Sequence, residues 1–250
     1  KVLKNRMGWC KTKEDGSDRP YIFGITNPMI IQGVKSSGLG SSVSQFKPAV
    51  AKWVFERYSC QKILDYSSGW GARALGAGVL GKEYWGIDPN TAKENNELMK
   101  YFGVKGKVVE GGSENKTSYK EIPRCDLAFS SPSYFDLEIY SDDKKQCYNK
   151  YNKYENWLQK YWRKTVVNCL EKLDDKGVFG FASISEFEGR EIAQDMCKIC
   201  LEEGLNQIEN IPFKTSQSHL SGKRKSGKVL KFTDGLYFFK NEYYNRCTSI

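Results

Sequence analysis

The stretch Leu64-Asp65-Tyr66-Ser67-Ser68-Gly69-Trp70-Gly71-Ala72-Arg73 decides the fold. It begins as the end of a short apolar strand, Lys62 to Asp65, and runs through a glycine turn into a small-residue helix over about 71–80. The same alternation continues along the chain. Strand signals appear at Tyr84 to Asp88, Lys107 to Glu110, Asp126 to Ser130 and Gly177 to Ala182. Helical patterns lie between them: a polar one over about 91–102, a long one with Leu158, Trp162, Val166, Leu170 and Leu173 on one face, and another over about 187–203. Ahead of the first strand, Pro48 opens a helix over about 47–58. Strands separated by helices of this length imply βαβ units and a mostly parallel sheet. The last two strands, near 205–212 and 229–240, have no helix between them and should pair as an antiparallel hairpin at one edge. The fold class is therefore α/β, with seven strands. Residues 1–45 are rich in Gly, Ser, Asn and Lys and read as an arm or long loop, which leaves 46–250 as the main domain.

The glycine turn carries the first chemical signal. Gly69 and Gly71 permit a sharp bend and a close approach of a ligand to the main chain. Asp65 closes the first strand and can accept hydrogen bonds from a bound group. Asp88 closes the second strand about 20 residues later, where nucleotide folds place an acid against ribose hydroxyls. The third glycine of a dinucleotide fingerprint is missing, because Arg73-Ala74 follows Gly71, and no Gly-Lys-Ser/Thr follows to make a P-loop. The turn and Asp88 together favour an adenosine-type ligand.

The second signal is Ser131-Pro132-Ser133-Tyr134, directly after the fourth strand. Pro132 fixes φ and stiffens the turn. The Ser131 side chain and the Pro132 carbonyl could accept hydrogen bonds from an exocyclic amine, with Tyr134 stacked on the ring that carries it. The alternative is an ordinary turn with Tyr134 and Phe135 in the core.

Composition narrows the classes. The chain has 250 residues, 39% of them hydrophobic and 14% aromatic, so it can bury a core and is not a disordered chain. No apolar run is long enough to span a bilayer and no secretory signal is visible, so membrane attachment is not expected. The chain opens on Lys1 rather than Met, which fits a trimmed chain or a piece of a longer one. Lys and Arg number 39 against 30 Asp and Glu, a formal charge of +9 that suits a polyanionic partner. Eight scattered cysteines read as reduced thiols of an intracellular protein, in cytoplasm or nucleus. Cys197-x-x-Cys200 lies in a helical pattern and no second pair completes a zinc set, so no metal is expected. His219 is the only histidine, which argues against hydrolysis with a histidine base. Two stretches are candidate nucleic-acid contacts. One is the loop from Ser218 to Lys228, with Lys223, Arg224, Lys225 and Lys228; the other runs from Tyr140 to Tyr154, where Lys144 and Lys145 stand among tyrosines. Either stretch could equally be a solvated connection.

Taken together the motifs resemble the amino-group methyltransferases that use S-adenosylmethionine, the N6-adenine and N4-cytosine DNA methyltransferases, including versions carried by phages and large DNA viruses. In that family the glycine turn reads Asp-Pro-Phe-x-Gly-x-Gly. A subgroup with Gly-Trp-Gly-x-Arg and Gly-Ile-Asp-Pro-Asn resembles Gly69 to Arg73 and Gly86 to Asn90. The catalytic turn, (Asp/Asn/Ser)-Pro-Pro-(Tyr/Phe/Trp), resembles Ser131 to Tyr134, and an upstream Phe-x-Pro is matched by Phe46-Lys47-Pro48. The resemblance covers about residues 44–240. It implies a Rossmann-like class I methyltransferase fold and S-adenosylmethionine as cofactor. It further implies that Ser131, Pro132 and Tyr134 are catalytic and that Phe46 and Pro48 pack over the methionine end of the cofactor. Asp65, Gly69 and Gly71 would contact that end, Asp88 would hold the ribose, and Ser113 and Glu114 would lie at the adenine edge. A DNA base is the expected target, ahead of RNA, and restriction-modification or viral biology the expected setting.

Two departures weaken the match. Tyr66-Ser67 replaces Pro-Phe after Asp65, and Ser133 replaces the second proline of the catalytic turn. Three readings stay open: a DNA amino methyltransferase, the same chemistry on RNA or a small amine, and an inactive relative kept for binding. No large target-recognition domain is visible, so the arm and loops, or a partner subunit, would read the target.

Overall fold

The computed structural model describes residues 46–136, 144–213 and 234–241. The expected arm over 1–45 and the basic loop with Lys223, Arg224, Lys225 and Lys228 lie outside the described residues. In chain order the strands are β1 Lys62–Asp65, β2 Glu83–Asp88, β3 Gly106–Glu110, β4 Cys125–Ser130, β5 Leu173–Ile184, β6 Leu205–Phe213 and β7 Asp234–Asn241. The helices are α1 Pro48–Arg57, α2 Ala72–Val79, α3 Ala92–Tyr101, α4 Cys147–Lys150, α5 Tyr154–Asn156, α6 Arg163–Leu170 and α7 Ile192–Glu202. A π-helical segment, Trp157–Trp162, joins α5 to α6.

The seven strands form one sheet in the order β3-β2-β1-β4-β5-β7-β6. The first five pair in parallel, and β7 lies antiparallel between β5 and β6. The expected hairpin is present, with β6 as the outer strand.

Alternation along each strand builds two cores. Ile63, Leu127, Phe129, Val178 and Phe238 face one side, where Ala51, Val54 and Phe55 of α1, Ala74 and Ala77 of α2 and Met99 of α3 cover them. Leu64, Ala128, Phe179, Phe181 and Phe239 face the other side, under Trp157, Trp162, Val166 and α7. The sheet is therefore covered on both faces, as a parallel sheet requires.

The expected helix with Leu158, Trp162, Val166, Leu170 and Leu173 on one face ends at Leu170. Leu173 instead opens β5, where it pairs with Cys125 of β4. The π segment has a packing reason. Trp157 and Trp162 are both fully buried, yet residues five apart on an α-helix point about 140° apart. The wider π turn brings them onto one face. The helix expected from about 187 starts at Ile192, because Phe187 and Arg190 close a tight turn through Glu188 and Gly189, both at positive φ. Cys197 and Cys200 lie buried on α7, as their helical pattern implied.

Candidate active site

The carboxyl ends of β1, β2 and β4 meet at one rim, and the two motif turns leave from it. Asp65, the last residue of β1, is fully buried. Its Oδ2 accepts from Arg73 Nε at 2.7 Å and from the Tyr84 hydroxyl; its Oδ1 accepts from the Ser130 hydroxyl at 2.7 Å, Arg73 Nη2 at 3.2 Å and the Ser67 amide at 3.3 Å. Burying a carboxylate is costly unless it is paired and hydrogen-bonded, and these five donors offset that cost. Burial first, and then the Asp65 carboxylate, push the Tyr84 phenol well above its ordinary range, so it stays protonated and donates. Burial works against the Arg73 charge, but Asp65 outweighs it and holds the guanidinium charged.

The glycine turn is fixed from both sides. Gly69 and Gly71 have φ of +58° and +81°. A Cβ on Gly71 would stand 2.5 Å from Asn95 Oδ1. Asp88 Oδ2 accepts from the Gly69 amide at 2.9 Å, while its Oδ1 accepts from the Asn90 and Thr91 amides, each at 2.9 Å. The Gly69 carbonyl accepts from Thr91 Oγ1 and from Asn95 Nδ2 at 2.8 Å. A carboxylate offers about four lone-pair positions, so Asp88 clamps the turn with three of them and leaves one acceptor position over. The Trp70 indole, 57% exposed, reaches into solvent. Tyr66 turns the other way, stacked on Phe179 with its hydroxyl donating to the Gly180 carbonyl.

The turn that carries Ser131 to Tyr134 touches the glycine turn directly. Besides donating to Asp65, Ser130 Oγ lies 3.3 Å from the Ser67 carbonyl. Pro132 is buried and Ser131, Ser133 and Tyr134 are half-buried. The Tyr134 hydroxyl donates its one proton to the Ala182 carbonyl on β5, at 3.0 Å. The short contact between Ser131 Oγ and Tyr134 must therefore have Ser131 as donor. Ser131 is left as an acceptor, the polarity an amine requires. Phe135 is the core member of the pair, packed on Tyr148, Tyr154 and Trp157 at a φ of +54°. Arg190 covers it and pairs with Asp136 at 3.0 Å.

Phe46 lies at this rim too, edge-on to Phe129 and 5.1 Å from the Arg73 guanidinium carbon. Pro48, exposed, is the first residue of α1.

The expected adenine edge is differently engaged. Ser113 Oγ bonds Thr165 Oγ1 at 2.9 Å and its carbonyl accepts from Tyr119 and Asn168, so the residue is turned into the interior. Glu114 pairs with Lys150 and accepts from the Tyr151 hydroxyl. Lys144 and Lys145 are exposed, and Lys145 pairs with Glu110 at 2.8 Å. Tyr148 and Tyr154 pack on Phe135. In the described part of the Lys/Tyr stretch, Lys145 is thus bound to Glu110 at the end of β3 and Tyr148 and Tyr154 to Phe135, while residues 140–143 lie outside the described residues. Sequence reasoning missed Tyr84, Ser130 and Tyr161, whose hydroxyl lies 3.3 Å from Ser67 Oγ. Their only signal is a hydroxyl at a buried position, near a strand end for Tyr84 and Ser130 and in the π-helical segment for Tyr161. Arg73 was visible only as part of a motif.

An adenosine-type methyl donor fits these residues in three respects: a rigid turn at the strand ends, an acceptor position on Asp88 and an aromatic cover in Phe46. Among the described residues no helix is long and apolar enough to cross a membrane.

No family model matches the sequence, and neither does any curated protein. Solved structures do match. TrmN from Thermus thermophilus aligns at a TM-score of 0.54 and 11% identity, over 85% of this chain and 53% of that one. This chain thus spans about half the length of the Thermus protein. A S-adenosylmethionine-dependent methyltransferase from Clostridium acetobutylicum aligns at 0.52 and 11% identity, over 86% and 98%. A TehB-like SAM-dependent methyltransferase from Corynebacterium glutamicum aligns at 0.51 and 13% identity, over 85% and 94%. Likeness at such identities carries the fold, which is the Rossmann-like class I methyltransferase architecture expected from the sequence.

Proposed function

We propose that the protein uses S-adenosylmethionine to methylate an exocyclic amino group of a nucleic-acid base, N6 of adenine or N4 of cytosine, in DNA ahead of RNA. The observation that carries this reading is the direct contact of the two turns through Ser130 and Asp65, with Ser131 left as an acceptor beside them. When bound, the sulfonium supplies a methyl group that an amine lone pair can attack directly. The chain then has only to position the reactants. Ser131 Oγ and the Pro132 carbonyl accept from the target amine and aim its lone pair. Tyr134 holds Ser131 in its acceptor state and offers a ring face to the base. Phe46 and the glycine turn confine the donor. A base in duplex must first leave its stack, at a cost of a few kcal/mol that a single strand largely escapes.

A basic chain of net charge +9 suits a polyanionic substrate, and target choice is assigned to residues beyond this site or to a partner subunit. The test is incubation of the full chain with methyl-labelled S-adenosylmethionine and a panel of single- and double-stranded DNA and RNA, followed by nucleoside mass spectrometry. Labelled N6-methyladenine or N4-methylcytosine from DNA is the expected product. Label confined to RNA would move the substrate class, and no labelled nucleoside from any strand would sink the reading.

A further inference from the structure

The methionine end of a methyl donor carries both an ammonium and a carboxylate, and the fully buried carboxylate of the rim, Asp65, is already paired. Asp65 faces five donors and has no exposed surface. An ammonium would have to displace one of them. Arg73 differs. Its Nε and Nη2 bond Asp65, the Ser67 carbonyl and Ser130. Among the described residues Nη1 makes no hydrogen bond, and it is absent from the buried atoms left without a partner, so it keeps accessible surface. The side chain is otherwise 5% exposed. Phe46 lies 5.1 Å from its guanidinium carbon, and Tyr134 of the catalytic turn lies within its electrostatic reach. A largely dry guanidinium with one free N–H pair is a carboxylate receptor.

We infer that Arg73, through Nη1, binds the α-carboxylate of the donor's methionine moiety, and that Asp65 acts by holding Arg73 rather than by taking the ammonium. The inference rests on the methyltransferase reading. Its one requirement is that donor affinity depend on the carboxylate.

The test is calorimetry of the full chain with S-adenosylmethionine and with decarboxylated S-adenosylmethionine, which keeps the sulfonium and an amine but lacks the carboxylate. Losing a charge-assisted hydrogen bond in a dry site should weaken binding roughly 10- to 100-fold. In a double variant, Asp65→Leu with Arg73→Met, which removes both charges together, the two ligands should bind within about threefold of each other. Equal affinity of the wild-type chain for both ligands would overturn the role of Arg73 and leave the methyltransferase reading standing. Binding of neither ligand would overturn both. If the double variant does not fold, the wild-type comparison alone decides.

Discussion

The Ser130 hydroxyl, on the last residue of β4, donates to the Asp65 carboxylate, on the last residue of β1, at 2.7 Å. These strands are neighbours in the sheet, with Ile63 beside Leu127 and Leu64 beside Ala128, so the bond closes the ladder just where both chains turn away. It makes the two motif turns one unit. Ser130→Ala leaves a buried carboxylate with one donor fewer, and should cost about 1–3 kcal/mol in urea unfolding. A loss indistinguishable from zero would mean that the two turns are held independently.

Removing one partner of the buried ion pair should be costlier. Arg73→Met strands Asp65 without its cation and is expected to cost about 3–5 kcal/mol. Adding Asp65→Leu to the same chain should restore most of it. The check is the urea midpoint of both single variants and the double, at unchanged dependence on denaturant. Strict additivity of the two losses would contradict the pairing.

On the proposed function Tyr134 serves through its hydroxyl as well as its ring. Tyr134→Phe keeps the ring but frees Ser131 to rotate its proton toward the amine. Single-turnover methyl transfer should fall about tenfold to a hundredfold, with S-adenosylmethionine affinity nearly unchanged. Tyr134→Ala should abolish transfer. If the Phe variant transfers at the wild-type rate, stacking alone explains the residue.

Asp88 holds three backbone amides at the glycine turn. Asp88→Ala should therefore weaken cofactor binding and also lower stability, by about 1–3 kcal/mol. Calorimetry and thermal unfolding on one preparation separate the two effects. An unaltered dissociation constant would remove Asp88 from the site.

The buried thiols give a pH signature. Burial first, helped by the Asp126 carboxylate, pushes Cys60 and Cys125 from 9.0 up to about 12, and burial alone does the same for Cys197. A group with a raised native pKa contributes stability that is complete below its unfolded value and is lost as pH rises toward the native one. Stability should hold up to about pH 9 and decline between pH 9 and 12, as the unfolded chain releases these protons first. At pH 8 about one such thiol in ten thousand is thiolate, so alkylation of these three should wait for unfolding. Fast labelling of the native chain at any of them would contradict their burial.

The match between expectation and structure differs by element for physical reasons. β1 was read to the residue, because Ile63 and Leu64 are an apolar pair bounded by Lys62 and Asp65. For the helix after β4 the sequence pattern runs past the true end at Leu170. Leu173 continues the helical spacing, but ladder partners in β4 compete for it and win. Phe135 and Tyr134 could not be told apart in sequence, since both are aromatic; only packing buries the first and points the hydroxyl of the second at Ala182. Lys145 reads in sequence as a candidate nucleic-acid contact, whereas the fold pairs it with Glu110 of this chain.

Local pattern by itself determined the order of strands and helices, the mostly parallel sheet with its edge hairpin and the positions of both turns. Those follow from periodicity and from residues, Gly and Pro, whose backbone preferences act on their immediate neighbours. Tertiary structure alone decided which charges face each other. Asp65, Arg73, Tyr84 and Ser130 come from four different elements, and hydrogen bonds among them exist only once the sheet has set the ends of β1 and β4 beside the start of α2 and brought the side chain of Tyr84, from the second residue of β2, up to Asp65.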